Sequence, residues 1–205
     1  MKKIMFNDKY DLTQAVLDGA KTMTRRVIVP RNENEKMFLD LLGDKDYMKY
    51  SGTFECYEKK TFFIHDDYNS YECKPKYVVG EKVAIAQSYE SVYKQMTDGA
   101  TKEKFKRNHK EVAGWRNKMF VKTDLMPHQI KITNVFPQHL LDISYDDCIK
   151  EGVRINPIGQ VWIPNGKSVF NHPRELFSYL IDKLIGKGSW NKNPFVWVYS
   201  FDLVK

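Results

Sequence analysis

The stretch Gly19-Ala20-Lys21-Thr22-Met23-Thr24-Arg25-Arg26 decides how the rest of the chain is read. It follows a helix signal. Asp11-Leu12-Thr13-Gln14 has the spacing of a helix start, with Asp11 placed to accept from the free amides of the first turn and Gln14 where a capping-box partner sits. Leu12, Ala15 and Val16 share one helical face. Gly19 fits the left-handed position after the helix, where a side chain costs energy. The eight residues therefore leave a helix C-terminus and enter a loop or strand. If extended, they alternate faces, with Thr22, Thr24 and Arg26 on one side and Lys21, Met23 and Arg25 on the other. A turn would bring Lys21 back to Thr24. Three cations interleaved with hydroxyls can hold a phosphate or a polarised carbonyl. The same run is also what a solvated basic turn looks like.

Working outward, Lys2–Phe6 reads as a short strand before the helix. Residues 31–78 are polar and rich in Tyr, Lys and Asp, and read as an insertion on a compact core. Within them, Thr53–Tyr57 and Thr61–His65 predict a hairpin. Strand patterns return at Lys82–Ser88, after the turn-like Val79-Gly80-Glu81, and around Ile130, Ile132 and Val135. Lys102–Lys110 is a basic loop or helix facing solvent. Ser144-Tyr-Asp-Asp147 has helix-cap spacing, and Gly152 stops that helix. Asn171-His-Pro-Arg-Glu175 opens a longer one, with Pro173 in its first turn and an apolar stripe of Leu176, Phe177, Leu180, Ile181 and Leu184. Gly186 ends it. Phe195-Val-Trp-Val-Tyr-Ser-Phe201 is aromatic and β-branched and alternates two sets of side chains, a strand. No Gly-rich phosphate loop follows any strand. The pattern predicts an α+β fold, with a small β-barrel favoured over a doubly wound sheet, as one domain over 1–205 carrying an insertion at about 31–78.

Composition narrows the function. The 205 residues are 42% hydrophobic and 14% aromatic, enough to bury a core, so disorder is not expected as the main state. The 33 basic residues outnumber the 26 acidic ones, and the net charge of +7 favours an anionic partner. Mean hydropathy is −0.56, and no apolar run approaches the length of a membrane span. No apolar segment precedes the charges of the N-terminus, so no secretory signal is expected. Three cysteines, Cys56, Cys73 and Cys148, cannot all pair within one chain, which suits a reduced, cytoplasmic protein. Cys56, His65 and Cys73 lack zinc spacing, so no metal or other cofactor is expected. His109 and His128 have no acid partner in sequence that would build a triad.

The stretch from Gly19 to Arg26 resembles the signature of the ASCH family, a branch of the PUA-like β-barrels. Gly19, Lys21, Thr24 and Arg26 fall on its four positions. Gly80-Glu-Lys-Val-Ala-Ile85 resembles the family's strand after a glycine–acidic turn. Met126-Pro127, Ile130–Val135, Leu141–Ser144, Glu151-Gly152 and Gly186–Val198 are similar to phage and prophage ASCH-like proteins in the same order. The resemblance covers most of residues 1–30 and 79–205. It implies a small barrel with flanking helices, a cleft lined by the motif, and RNA or nucleotide-type ligands. One small bacterial branch of the family hydrolyses the acetyl amide of N4-acetylcytidine. This sequence is similar to that branch in carrying threonine where many relatives carry glutamate. The resemblance places the branch's lysine, threonine and later glutamate on Lys21, Thr24 and Glu151.

That chemistry has a physical basis in these residues. Amide hydrolysis needs a nucleophile, a proton acceptor and a proton donor. Thr24 offers a hydroxyl, and Lys21 can activate it only when neutral. Arg25, Arg26 and partial burial push the lysine pKa in that direction. Glu151 falls near the end of the Ser144 helix, where a negative charge opposes the dipole, which suits it to proton transfer. An exposed glutamate paired with Lys150 or Arg154 is the alternative. Thr22, Arg25, Arg26 and Trp190 are the candidate ligand contacts, with Trp115 and Tyr89 as further stacking aromatics. Two functions stay open: a basic cleft that binds RNA, a nucleoside or a nucleotide, and an amidohydrolase acting on an N4-acylated cytidine. A membrane partner is not expected.

Overall fold

The strand that carries Thr24, Arg25 and Arg26 is one edge of a five-stranded sheet. The computed structural model describes residues 1–50, 53–58, 60–65, 68–162 and 170–204. In chain order its elements are β1 (Lys3–Ile4), α1 (Leu12–Leu17), β2 (Met23–Val27), α2 (Glu33–Gly43), α3 (Lys45–Tyr50), β3 (Thr53–Tyr57), β4 (Thr61–His65), β5 (Ser70–Cys73) and β6 (Lys82–Ile85). They continue as α4 (Tyr89–Gln95), α5 (Gly99–His109), β7 (Gln129–His139), α6 (Tyr145–Lys150), β8 (Arg154–Ile155), β9 (Val161–Trp162), α7 (Pro173–Leu184) and β10 (Phe195–Val204). Among the described residues no helix is long and apolar enough to cross a membrane.

The main sheet has the order β1-β6-β7-β10-β2, with β1 parallel to β6 and the other pairs antiparallel. The aromatic strand β10 pairs on both sides, which is why its whole length is rich in residues that suit a doubly covered pleat. Its register sets Thr24 opposite Tyr199, Arg25 opposite Val198 and Arg26 opposite Trp197. Both faces are buried. Ile85, Ile132, Trp197, Tyr199 and Phe201 pack in the larger core with Leu12 and Val16 of α1. Met23, Val196 and Val198 pack on the other side with Cys148 of α6 and Phe177 and Ile181 of α7. The α7 stripe is wide because the helix serves both cores: Leu176 and Leu180 belong to the first.

The hairpin predicted at Thr53–Tyr57 and Thr61–His65 is present as β3 and β4, and β5 adds a third strand. Despite its polar average, the 31–78 segment is pinned to the main sheet by buried Phe38, Phe62 and Ile64, with Phe62 against the Trp197 ring at 4.9 Å. All three cysteines are free.

Four expectations need correction. Among the described residues the sheet is not closed into a barrel: β1 and β2 are its edges. They are linked by a side chain instead, as Arg26 Nη2 donates to Met5 O at 2.6 Å. β1 stops at Ile4 because Met5 and Phe6 leave the ladder to wall a cavity. Asp11 does not cap α1 through its side chain. A short 3-10 turn, Asp8–Tyr10, comes first, and Asp11 links the two turns in the left-handed region, φ 56°. Gln14 pairs forward with Asp18 at 2.7 Å rather than back.

Candidate functional site

The site is assembled where the exit of α1 meets the end of α6. Gly19 takes the left-handed position, φ 73°, and the chain doubles back so that Lys21 N donates to Ala15 O at 2.9 Å. Thr22 N then donates to Lys150 O at 2.9 Å, satisfying one of the carbonyls that a helix end leaves free. From the other direction, Ser144 caps α6 by accepting from Asp147 N at 3.1 Å, as its spacing predicts. Glu151 terminates the helix. Gly152 follows at φ 97°, where a Cβ would stand 3.4 Å from both Lys21 Cβ and Leu12 Cδ2. Its missing side chain lets the lysine stem pass against the backbone.

Lys21 is 2% exposed. Its ammonium donates to Glu151 Oε2 at 2.7 Å, to Glu151 O at 2.7 Å and to Met23 O at 2.8 Å, so all three hydrogens are placed. Arg25 donates from Nη1 to Glu151 Oε1 at 3.2 Å. From Nη2 it reaches Asp147 Oδ2 at 2.6 Å and Gln138 Oε1 at 3.4 Å. Two cations and two carboxylates thus form a buried set whose charges cancel. That is the condition under which such groups tolerate removal from water. Burial pushes Lys21 below the ordinary lysine range; Glu151 opposes this by charge and hydrogen bond, and Arg26 and Arg25 add smaller downward pushes. Burial thus leads the shift, ahead of the arginine charges expected to drive it. Glu151 is 5% exposed and faces inward, not paired with Lys150 or Arg154 in solvent.

Lys21, Thr24, Arg25 and Glu151 line one cavity of about 610 Å³. Phe6 and Leu12 form one apolar wall, and Phe177, Leu180, Ile181 and Leu184 of α7 form another. Exposed Arg26 stands at the rim, its guanidinium 5.9 Å from the centre of the Phe6 ring. Lys118 lines the same cavity and pairs with Asp8 at 2.7 Å. Two polar atoms of cavity-lining residues, Arg25 Nε and Asn7 Oδ1, are buried without a hydrogen-bond partner among the described residues.

Five of the predicted site residues therefore meet: Lys21, Thr24, Arg25, Arg26 and Glu151. Two do not. Thr22 does not line the cavity; its backbone is held on both sides, by Lys150 O and by Phe201 N at 2.9 Å. Trp190 packs edge-on to Phe177 at 6.1 Å and under the Arg174 guanidinium at 5.3 Å, away from the cavity. The cause is Asp182, whose carboxylate accepts from Gly188 N and Trp190 N and folds the glycine-rich loop onto the outer side of α7. Those amides hold the Asp182 carboxyl below its usual range. Tyr89 is buried against Phe105 and His109, and Trp115 lies on Tyr93, so neither faces the cavity. Sequence reading missed Phe6, Asn7, Asp8 and Lys118. The one available signal was the α7 stripe, whose Leu184 end is 40% exposed where it borders the opening.

Chemically, the pair can move one proton across 2.7 Å from Lys21 Nζ to Glu151 Oε2 without changing the net charge of the site. The amine's lone pair then accepts from the Glu151 carboxyl, which has a proton to give. Compared with protein-family models, with curated proteins and with solved structures, the chain yields no match.

Proposed function

We propose that this is a PUA-like, ASCH-type protein whose cavity binds a nucleobase-bearing ligand: a nucleoside, a nucleotide or a base of RNA. One observation carries the reading. Residues of a single eight-residue run and Glu151, 130 positions from Lys21, converge on one cavity with an apolar wall and a cationic rim. Its volume lies within the roughly 300–1,000 Å³ of small-ligand sites. The apolar wall suits a base face. Arg26, whose guanidinium is held among the described residues by a backbone carbonyl and a ring, suits a phosphate. Titration calorimetry with cytidine and cytidine monophosphate tests this. Saturable binding is expected, and Arg26→Ala should weaken the nucleotide about tenfold while sparing the nucleoside. No heat from either ligand at millimolar concentration overturns it.

A second reading is favoured by the 2.7 Å contact between Lys21 Nζ and Glu151 Oε2 in the cavity that Thr24 also lines. In it the neutral Lys21 amine takes the Thr24 proton, and Oγ bonds to the acyl carbon of an N4-acylcytidine. The C–N4 bond breaks as Glu151 protonates N4. Water then attacks the acyl-threonine, giving one proton to Glu151, and Oγ recovers its own from Lys21. N4-acetylcytidine should yield cytidine, and Thr24→Ala should stop it while Thr24→Ser retains part. Release no greater than a blank removes this reading and leaves the binding one.

A further inference from the structure

The surplus of positive charge is concentrated. Residues 94–122 hold nine lysines and arginines against three acidic residues, a surplus of six in a chain of net charge +7. The acidic ones are already subtracted in that surplus, and none of them is paired with a cation of the segment among the described residues. Asp98 is spent capping α5, accepting from Thr101 N at 2.8 Å, and Glu103 accepts from the Tyr93 hydroxyl at 3.0 Å. Among the described residues the ion pairs of this segment are Lys94 with Glu90 and Lys118 with Asp8. Exposed Lys104, Arg107 and Lys110 therefore stand without a carboxylate partner. They recur every third residue, so they form one ridge along α5 and its end.

The ridge is tied to the cavity. The Lys118–Phe120 turn is held against β1 by Lys3, whose ammonium donates to Met119 O at 2.6 Å and Val121 O at 2.8 Å. Lys118 reaches into the cavity wall from this turn. Two residues on, Phe120 is 59% exposed, between Lys118 and exposed Lys122. An exposed ring among cations is what stacks an unpaired base. α5 is polar and basic, and its one large apolar residue, Phe105, is turned onto Tyr89, so the helix offers no apolar face to a lipid surface. A cavity for one base also cannot accept a paired one without flipping it out.

We infer that residues 94–122 dock the phosphate backbone of a single-stranded nucleic acid, which passes Phe120 and presents a base at the Lys118 rim of the cavity. The ridge supplies the charge contacts, Phe120 a sequence-tolerant stack, and the cavity the base-specific step. Only the last of these rests on the function proposed above.

The test is fluorescence anisotropy with a labelled 12-nucleotide single strand, in ribo and deoxy forms, across a salt series. The wild type should bind at least one of the two with strong salt dependence. Lys104→Ala/Arg107→Ala/Lys110→Ala should lose more than tenfold in affinity at low salt. Its log–log salt slope should fall by roughly two, at about 0.7 per phosphate contact. Phe120→Ala should weaken binding about tenfold with the slope unchanged. Cytidine binding to the triple variant should equal wild type, which also shows that it is folded. Wild-type affinity and slope in the triple variant overturn the proposal. So does binding to phosphatidylserine vesicles with none to either oligonucleotide. If oligonucleotide binding depends on the ridge while no nucleoside binds, the docking surface stands and the cavity reading falls.

Discussion

Two basic runs, Lys21–Arg26 and Lys102–Lys110, look alike in sequence and end in opposite environments. The first lies where two chain segments cross. Lys21 and Arg25 are 2% and 6% exposed, and Glu151 and Asp147 cancel their charge. The second lies on a helix with no fully buried residue, and its exposed cations face water. Charge density alone does not separate a dry ionic site from a wet electrostatic one. What separates them is whether the fold brings carboxylates within hydrogen-bond reach. Here it does so only through α6, at a sequence distance that no local pattern encodes.

The comparison breaks most sharply at Glu151. Glu151→Ala leaves Lys21 and Arg25 in the interior with their shared partner gone, so it should cost about 3–5 kcal/mol. Urea unfolding should show the midpoint falling with the slope unchanged. A loss under 1 kcal/mol would mean that the set is not the buried network described. Lys21 also carries a pH signature. Its folded pKa lies below 10.5, so between that value and 10.5 the unfolded chain binds more protons and stability rises with pH. Buried Tyr77 and Tyr199 are shifted upward and act in the opposite sense over alkaline pH. The measurement is therefore the difference between wild type and Lys21→Met, which should climb toward pH 10.5. A flat difference would show the lysine is not held below its ordinary range.

Next in size is Gly152→Ala. It places a Cβ 3.4 Å from the Lys21 stem on a backbone with φ 97° and should cost about 1–3 kcal/mol by the same unfolding assay. An unchanged midpoint would mean that the α6 end can move off Lys21 freely.

Much of this arrangement is legible in the chain, and the exceptions share a cause. β10, α7 and the α6 cap could be read because each is specified by its own neighbours: alternating aromatic and β-branched residues, an apolar stripe behind Pro173, a serine three residues before an aspartate. Lys21 and Thr24 stand out in the basic run itself, Glu151 only through the family resemblance, and all three line one cavity. Asp11 failed because a turn just upstream claimed its backbone. Trp190 failed because Asp182, eight residues away, gathers the loop amides. The 31–78 segment looked detached because averaging its composition hides the few rings, Phe38 and Phe62, that anchor it. Each miss is a contact made to a group outside the stretch being read.

Smaller effects sharpen the contrast between the two runs. Ser144→Ala removes the α6 cap and should cost about 1 kcal/mol, because one amide of the first turn loses its acceptor. The same change loosens the helix that presents Asp147 and Glu151, so it should also weaken ligand binding in the cavity. The α5 variant Lys104→Ala/Arg107→Ala/Lys110→Ala should leave the midpoint within about 0.5 kcal/mol, as expected for surface positions without packed partners. Alanine is the better helix former, and removing mutual repulsion along the ridge offsets any lost contact. If that variant instead unfolds as early as Glu151→Ala, the ridge is bound into the fold through partners of its own. The two basic runs would then be the same kind of structure after all.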